Sequence, residues 1–365
     1  CGPWVVGVTD TEMTIVWISD TRSMGWVEVA PDDGSSFYAE KRPAFYEDHL
    51  GRHIISEVHH VRLTNLKPGT VYRYRLYQQC IDDSGHSPIP LSRVTASDVY
   101  SRKPFAVRTL DKSKEEISFT MINDIHGRDS IMNAHTKDIR ANKPDFVVFN
   151  GDMASFMGSI ADIEKDFMTR ASKNFSPDFP LVYVRGNHEA RGPGYNEFMN
   201  LFPSSTGTPS YMFKHGPAAF LVLDCGEDKP DSDIEYGGTA AYDAYREQIA
   251  QWLKQTIASE EFKSAPVKIV LMHIPFEKGQ GWWGNNELKR LLLPLLNEAD
   301  VDVMLSGHNH SYSYREAGTI DGNKFPILVN SNNDRVEVKV TAKEIKMQVK
   351  DATGKTLHEK TIAVK

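Results

Sequence analysis

From residue 4 to about residue 108, apolar and polar positions alternate in short runs. Met13-Thr14-Ile15-Val16-Trp17 and Val71-Tyr72-Arg73-Tyr74-Arg75-Leu76 carry the period of two that sends successive side chains to opposite faces of a strand. Between them Asn65, Pro68 and Gly69 mark a turn, and no helical period intervenes. Residues 1–108 are therefore expected to form an all-β antiparallel sandwich, a module of about 100 residues. From Ile117 the pattern changes. Residues 117–123, 146–149, 181–184, 220–223, 267–272 and 301–305 are near-continuous apolar runs, the mark of strands buried on both faces. Residues 159–172, 242–257 and 286–298 carry apolar positions at three-to-four spacing and are expected to be helices. Their alternation predicts a layered α/β domain over residues 109–365, with some parallel pairing. The tail, residues 336–363, alternates again around a turn at 351–354 and is expected to add a strand pair to the same core.

A length of 365 residues agrees with two domains at about 150 residues each. Forty-two Lys and Arg against 49 Asp and Glu leave a net charge of −7, so no bulk positive field exists to hold a nucleic-acid polymer. No apolar stretch approaches the roughly 18 residues a membrane span needs; residues 291–296 are interrupted by Pro294. With three cysteines and no Cys-x-x-Cys pair, neither a thiolate zinc site nor a redox motif is available, and Cys80 and Cys225 read as inert buried thiols. Asp10 and Glu12 stand where a signal peptide would need an apolar core, and the chain starts without Met, so it reads as a processed or trimmed product. Cys1 is a candidate for a lipid anchor.

The chemistry concentrates at five strand ends. These deliver Asp124 and His126 in NDIHG, Asp152 in NGDM, Asn187 and His188 in GNHE, His273 in MHIP, and His308 with His310 in GHNH. In open α/β sheets, sites form beyond the carboxyl ends of the strands, so residues far apart in sequence converge there. Residues two apart on an extended segment point the same way, which would let each Asp-x-His or His-x-His pair face one cluster. Carboxylate, amide and imidazole donors together suit two divalent transition ions, Mn, Fe, Zn or Ni; the missing thiolates argue against structural zinc and the many imidazoles against calcium or magnesium. Such a pair can clamp a phosphoryl group and lower the pKa of a bridging water.

The series NDIHG, GDM, GNHE, MH and GHNH resembles the calcineurin-like metallophosphoesterases in order and context, over about residues 115–340. The preceding segment, with VTDTEMTIVW and VRLTNLKPGTVYRYRL, is similar to the fibronectin type III-like N-terminal domain of purple acid phosphatases. The resemblance implies one metal held by Asp124, His126, Asp152 and His310, and a second by Asp152, Asn187, His273 and His308, with Asp152 bridging. It places His188 beside the phosphate, to stabilise the transition state or protonate the leaving oxygen, a task suited to imidazole near neutral pH. It implies a hydrolase of small-molecule phosphoesters working through a metal-bridging hydroxide. A phosphomonoesterase of the acid-phosphatase kind is the leading expectation; a phosphodiesterase, including one for cyclic nucleotides, and a surface binding protein with a vestigial site are the alternatives. It also implies export, as a periplasmic, cell-surface or secreted protein. Two positions depart from the purple enzymes: His126 is present where they lack a histidine, and Ser155 stands where they place a tyrosine, so no charge-transfer chromophore is expected.

Further substrate-binding candidates lie outside the motifs. Arg191 could meet a phosphate with two parallel N–H groups. Tyr312 follows GHNHS, and Trp282 with Trp283 in GQGWWGNN could stack an aromatic leaving group or cover the seam between domains. The acidic segment 225–238 reads as a solvated insertion.

Overall fold

The computed structural model describes residues 1–364. Strands between Trp4 and Arg108 form a β-rich unit in which every pairing is antiparallel. One long strand, Met13–Pro31, organises it. Its first part pairs with Trp4–Val6 and Ile55–Leu63; after an irregularity between Ile18 and Ser23 its second part pairs with Val71–Asp82. The alternating residues Met13, Ile15 and Trp17 turn inward with Val27, Val29, Val61, Leu63 and Tyr74 to make its core.

The remainder builds two six-stranded mixed sheets. In the first, Leu181–Val184, Phe146–Asn150 and Glu116–Ile122 run parallel, and Arg335–Thr341, Glu344–Lys350 and Thr356–Ala363 continue it antiparallel. The tail thus supplies three strands where the sequence predicts two, because a second turn at Ala342–Lys343 splits the segment before the 351–354 turn into Arg335–Thr341 and Glu344–Lys350. In the second, Ala218–Leu223, Val267–Met272, Val303–Ser306 and Ile327–Val329 run parallel, flanked by antiparallel edges. The inner faces of both sheets meet through Phe119, Phe146, Phe220, Val222, Ile269, Leu271, Val338 and Met347. Strands covered on both faces explain the continuous apolar runs.

Helices Tyr242–Ala258 and Trp283–Glu298 cover the outside of the second sheet through Ile249, Leu253, Leu288 and Leu292. The outer face of the first sheet is covered by Asp129–Thr136, which the sequence pattern does not reveal, and by a helical run from Ile160 to Asn174 with a π turn at Glu164–Met168. Ser159 caps that run by a reciprocal pair of bonds with Asp162. The β-rich unit docks on the same face. Trp4, Val6 and Val16 join the cluster containing Phe149, Phe167 and Leu181, Trp4 Nε1 donates to Leu201 O at 2.7 Å, and Tyr74 Oη donates to Pro177 O at 2.7 Å. The seam is therefore closed by Trp4, not by Trp282 and Trp283. No helix among the described residues is long and apolar enough to cross a membrane.

Candidate metal centre

The carboxyl ends of three parallel strands of the first sheet and two of the second meet at one place, and side-chain bonds lock the sheets together there. Asn150 Nδ2 donates to Leu305 O at 3.0 Å and Asn123 Nδ2 to Asn330 O at 3.3 Å, while the backbone bond from Gly307 N to His273 O at 3.0 Å joins two strand ends within the second sheet. Just beyond these ends the ligand-type atoms of Asp124, His126 and His310 lie within 4.8 Å of one another, as do those of Asp152, His273 and His308, and those of His126, Asp152 and His188. Asn187 Oδ1 is 3.1 Å from His308 Nδ1. The structure thus brings all eight motif residues into one cluster.

The local conformation is not the extended one expected from the spacing. Asp124, His126, Asp152, His308 and His310 all have φ between 48° and 70°, in the left-handed region. Each Asp-x-His or His-x-His pair converges because the chain turns sharply after its strand, rather than because a pleat repeats every second residue. A non-glycine residue held there costs on the order of 1–3 kcal/mol, so five together need strong local support. The backbone supplies part of it: Asp124 N donates to Gly151 O at 2.9 Å, His126 N to Asp152 O at 3.0 Å, and His308 N to Asp124 Oδ2 at 2.8 Å. Gly151 and Gly186 let the loops close, since a Cβ on either would fall on His273 or Asp152.

Glu189 supplies much of the rest, and the sequence reading passed over it. Fully buried, its carboxylate accepts from Asp152 N and Met153 N at 2.8 Å each, from Gly186 N at 2.9 Å and from Tyr183 Oη at 2.8 Å. It clamps the loop bearing Asp152 to the loop bearing Asn187 and His188. Burial and the neighbouring Asp152 push its pKa up. The signal was present, in the final residue of GNHE, but a lone Glu after a turn does not announce four donors.

The electrostatics favour a bound cation. Burial opposes ionisation of Asp124 and Asp152, yet the facing His273 keeps both below the usual carboxylate range. Conversely, burial would lower His273, but Asp152 at 3.0 Å and Asp124 at 3.9 Å push it up to about 10. Burial together with that charge drives His308 down to about 4, and burial lowers His126. A proton on His273 is thus the local counter-charge to two buried carboxylates. Asp124 Oδ1 and His273 Nε2 are buried without a well-formed hydrogen bond, and His126 Nε2 lies 3.2 Å from His310 Nε2 with both aimed at the same space. Lone pairs crowded in this way, with two carboxylates at the centre, fit divalent ions.

The peripheral candidates separate. Arg191 sits against the cluster, its Nη1 3.1 Å from His188 Nε2, but its charge is matched by the buried Glu227 and by Asp228 at 3.2 Å, so it is not a free phosphate clamp. The acidic segment is therefore partly structural rather than simply solvated. Tyr312 stacks on His358 at 3.8 Å and packs against the inter-sheet core, which commits its ring to the scaffold. Trp282 and Trp283 are exposed at the start of a helix, where Trp283 Nε1 donates to Asp243. Cys225 is buried with its thiol pushed up by burial, whereas Cys80 is only half-buried.

Residues 117–312, which contain all five motifs, match the calcineurin-like phosphoesterase family. The chain belongs to that family. The preceding residues 4–101 match the purple acid phosphatase N-terminal domain. Purple acid phosphatase 15 of Arabidopsis thaliana is 23% identical over 288 residues, covering 70% of this chain and 49% of the relative. The mouse serine/threonine-protein phosphatase CPPED1 is 26% identical over 176 residues, covering 46% and 54%. Among solved structures, purple acid phosphatase PPD1 from yellow lupin seeds superposes with a TM-score of 0.67 at 14% identity, covering 99% of this chain and 74% of that one. The chain thus spans about half the length of purple acid phosphatases 15 and 21 of Arabidopsis. The fold of this chain is that of the lupin protein in both of its parts.

Proposed function

We propose that the protein is a dinuclear metal-dependent phosphomonoesterase acting on a small-molecule substrate. The observation that carries this reading is the carboxylate–imidazole cluster in which the buried Asp124 Oδ1 and His273 Nε2 lack hydrogen bonds while Asp124, Asp152, His188 and His273 are tied to backbone groups. Asp124, His126, Asp152 and His310 would hold one divalent transition ion, and Asp152, Asn187, His273 and His308 the other. Two such ions supply Lewis acidity to phosphoryl oxygens and lower the pKa of a water.

The protein's own groups orient and move protons. His273 Nδ1 is 2.6 Å from Asn150 O, which fixes its ring and leaves Nε2 for the centre. His188 is held by its backbone N donating to Asp152 Oδ1 at 2.9 Å and by Nδ1 at 2.6 Å from Ser155 O. With Nδ1–H spent on a carbonyl, Nε2 is the position from which the imidazolium form of His188 can hydrogen-bond a phosphoryl oxygen or pass a proton to the leaving oxygen. Arg191, 3.1 Å from that nitrogen, lines the same edge. Export, which the two-part layout supports, belongs to the same proposal.

The test is hydrolysis by the manganese-loaded protein of matched aryl phosphate monoester and diester substrates, with a chelated control. A chelator-sensitive preference for the monoester is expected. A diester preference would make the protein a phosphodiesterase, and no turnover of either would return it to the binding proteins.

A further inference from the structure

Next to the cluster lies a cleft of about 740 Å³. It is lined by residues 190–192, two to four positions beyond His188, and Arg191, which touches His188 Nε2, forms part of its wall. Four tyrosines, Tyr195, Tyr236, Tyr242 and Tyr245, line it together with Arg185, Glu235 and small residues. These rings are held in place. Tyr242 Oη donates to Ala190 O at 3.2 Å, Tyr245 Oη donates to Asp224 Oδ2 at 2.7 Å, and the Tyr236 and Tyr242 rings meet edge to face at 5.7 Å.

The charges in this cleft cancel. Arg185 pairs with Asp224 at 2.7 Å and stacks over Tyr245, Arg191 pairs with Glu227 and Asp228, and Glu235 pairs with Lys229. No unmatched guanidinium remains to attract a second phosphate or a carboxylate. A phosphoryl group alone does not need such a volume, which falls in the range of small-molecule sites. Four tyrosines offer ring faces and edges that complement a flat, uncharged aromatic group.

We infer that this cleft receives the alcohol side of the substrate, and that the preferred substrates are phosphomonoesters of uncharged alcohols bearing an aromatic ring, as in aryl-alkyl or nucleoside monophosphates, rather than sugar phosphates or polyphosphates. The inference rests on the phosphomonoesterase reading. It assigns to the tyrosine cleft the stacking role that the sequence suggests for Trp282 and Trp283.

The test compares 2-(1-naphthyl)ethyl phosphate with butyl phosphate, two primary-alkyl monoesters of similar intrinsic reactivity, on the manganese-loaded protein. The expected result is a kcat/KM ratio of about tenfold or more in favour of the naphthyl substrate. Ala240→Trp, which fills the cleft, brings that ratio towards one. Tyr195→Ala, at a half-exposed position where the fold tolerates truncation, raises KM for the naphthyl substrate more than for butyl phosphate. Calorimetry with 2-(1-naphthyl)ethanol gives a readout independent of turnover: binding to the wild-type protein and none to Ala240→Trp. Equal kcat/KM for the two substrates, or a ratio and alcohol binding that survive Ala240→Trp, overturns the cleft assignment while leaving the phosphomonoesterase intact. Turnover of neither monoester overturns both readings.

Discussion

Two buried histidines, one in each part of the molecule, meet opposite fates. His59 in the β-rich unit is 3% exposed, stacked on Trp17 at 4.6 Å, with Nε2 3.0 Å from Ser19 Oγ and 3.1 Å from Ser23 Oγ. Gly25 leaves room for the ring, since a Cβ there would strike both His59 and Trp17. Its hydrogen-bond partners are neutral, so burial, aided by the neighbouring His60, pushes its pKa down to about 4. His273 in the α/β part is also fully buried, but it faces Asp152 and Asp124 and is pushed up to about 10. Burial is common to both, and the charge of the neighbours sets the sign. Around hydroxyls a buried histidine is a packing element; between carboxylates it is a stand-in for a cation.

The largest effect should come from removing the charge that makes the second site different. Asp152→Ala is expected to abolish metal occupancy, measured by elemental analysis, and to lower turnover by about 10³-fold or more, since the Lewis-acid contribution is several kcal/mol. Normal rates with full metal would break the comparison outright. His188→Ala separates holding the centre from using it: metal content stays, and kcat falls by about 10²–10⁴-fold, the usual worth of a positioned acid or base. An unchanged kcat with a poor leaving group would remove His188 from the chemistry.

Glu189→Gln probes the support beneath the cluster. An amide nitrogen would then face backbone N–H donors that now share a carboxylate. Metal affinity is expected to fall by about 10- to 100-fold, as for other groups that orient ligands, with a lower melting temperature. Equal affinity for wild type and variant would show that the loops hold Asp152 without the clamp.

The smallest effect belongs to His59. Because the unfolded chain takes up a proton near pH 6.5 that the folded chain refuses until about pH 4, this residue's contribution to stability is complete above pH 6.5. It is lost progressively as pH falls between those values, by on the order of 1 kcal/mol per pH unit. Melting temperatures of the metal-free protein from pH 7 to pH 4.5 should therefore fall less steeply in His59→Gln than in wild type. Parallel slopes would mean that His59 is protonated in the folded state as readily as in the unfolded one.

Much of this was legible in the chain. The parallel strands are recoverable from continuous apolar runs because both of their faces are covered, and the eight cluster residues from motifs that sit where those runs stop. What escaped did so for physical reasons. The helix Asp129–Thr136 has a short, weakly apolar face that period-based reading does not register. Arg191 looks like a phosphate clamp until Glu227 and Asp228, 36 and 37 residues later, are seen to neutralise it. Tyr312 looks like a substrate contact until His358 stacks on it.

The sequence alone determined which atoms are available: strand-end carboxylates, imidazoles and an amide of the kind that binds divalent ions, with no thiolate to compete. These are local properties, written in residue type and in hydrophobic period. Only the tertiary structure decided which of those atoms share one space, which backbone turns aim them, and which charges elsewhere are already spent. Each depends on contacts between residues far apart in the chain, and a partner's distance and burial, rather than its identity, set the energy of a charge.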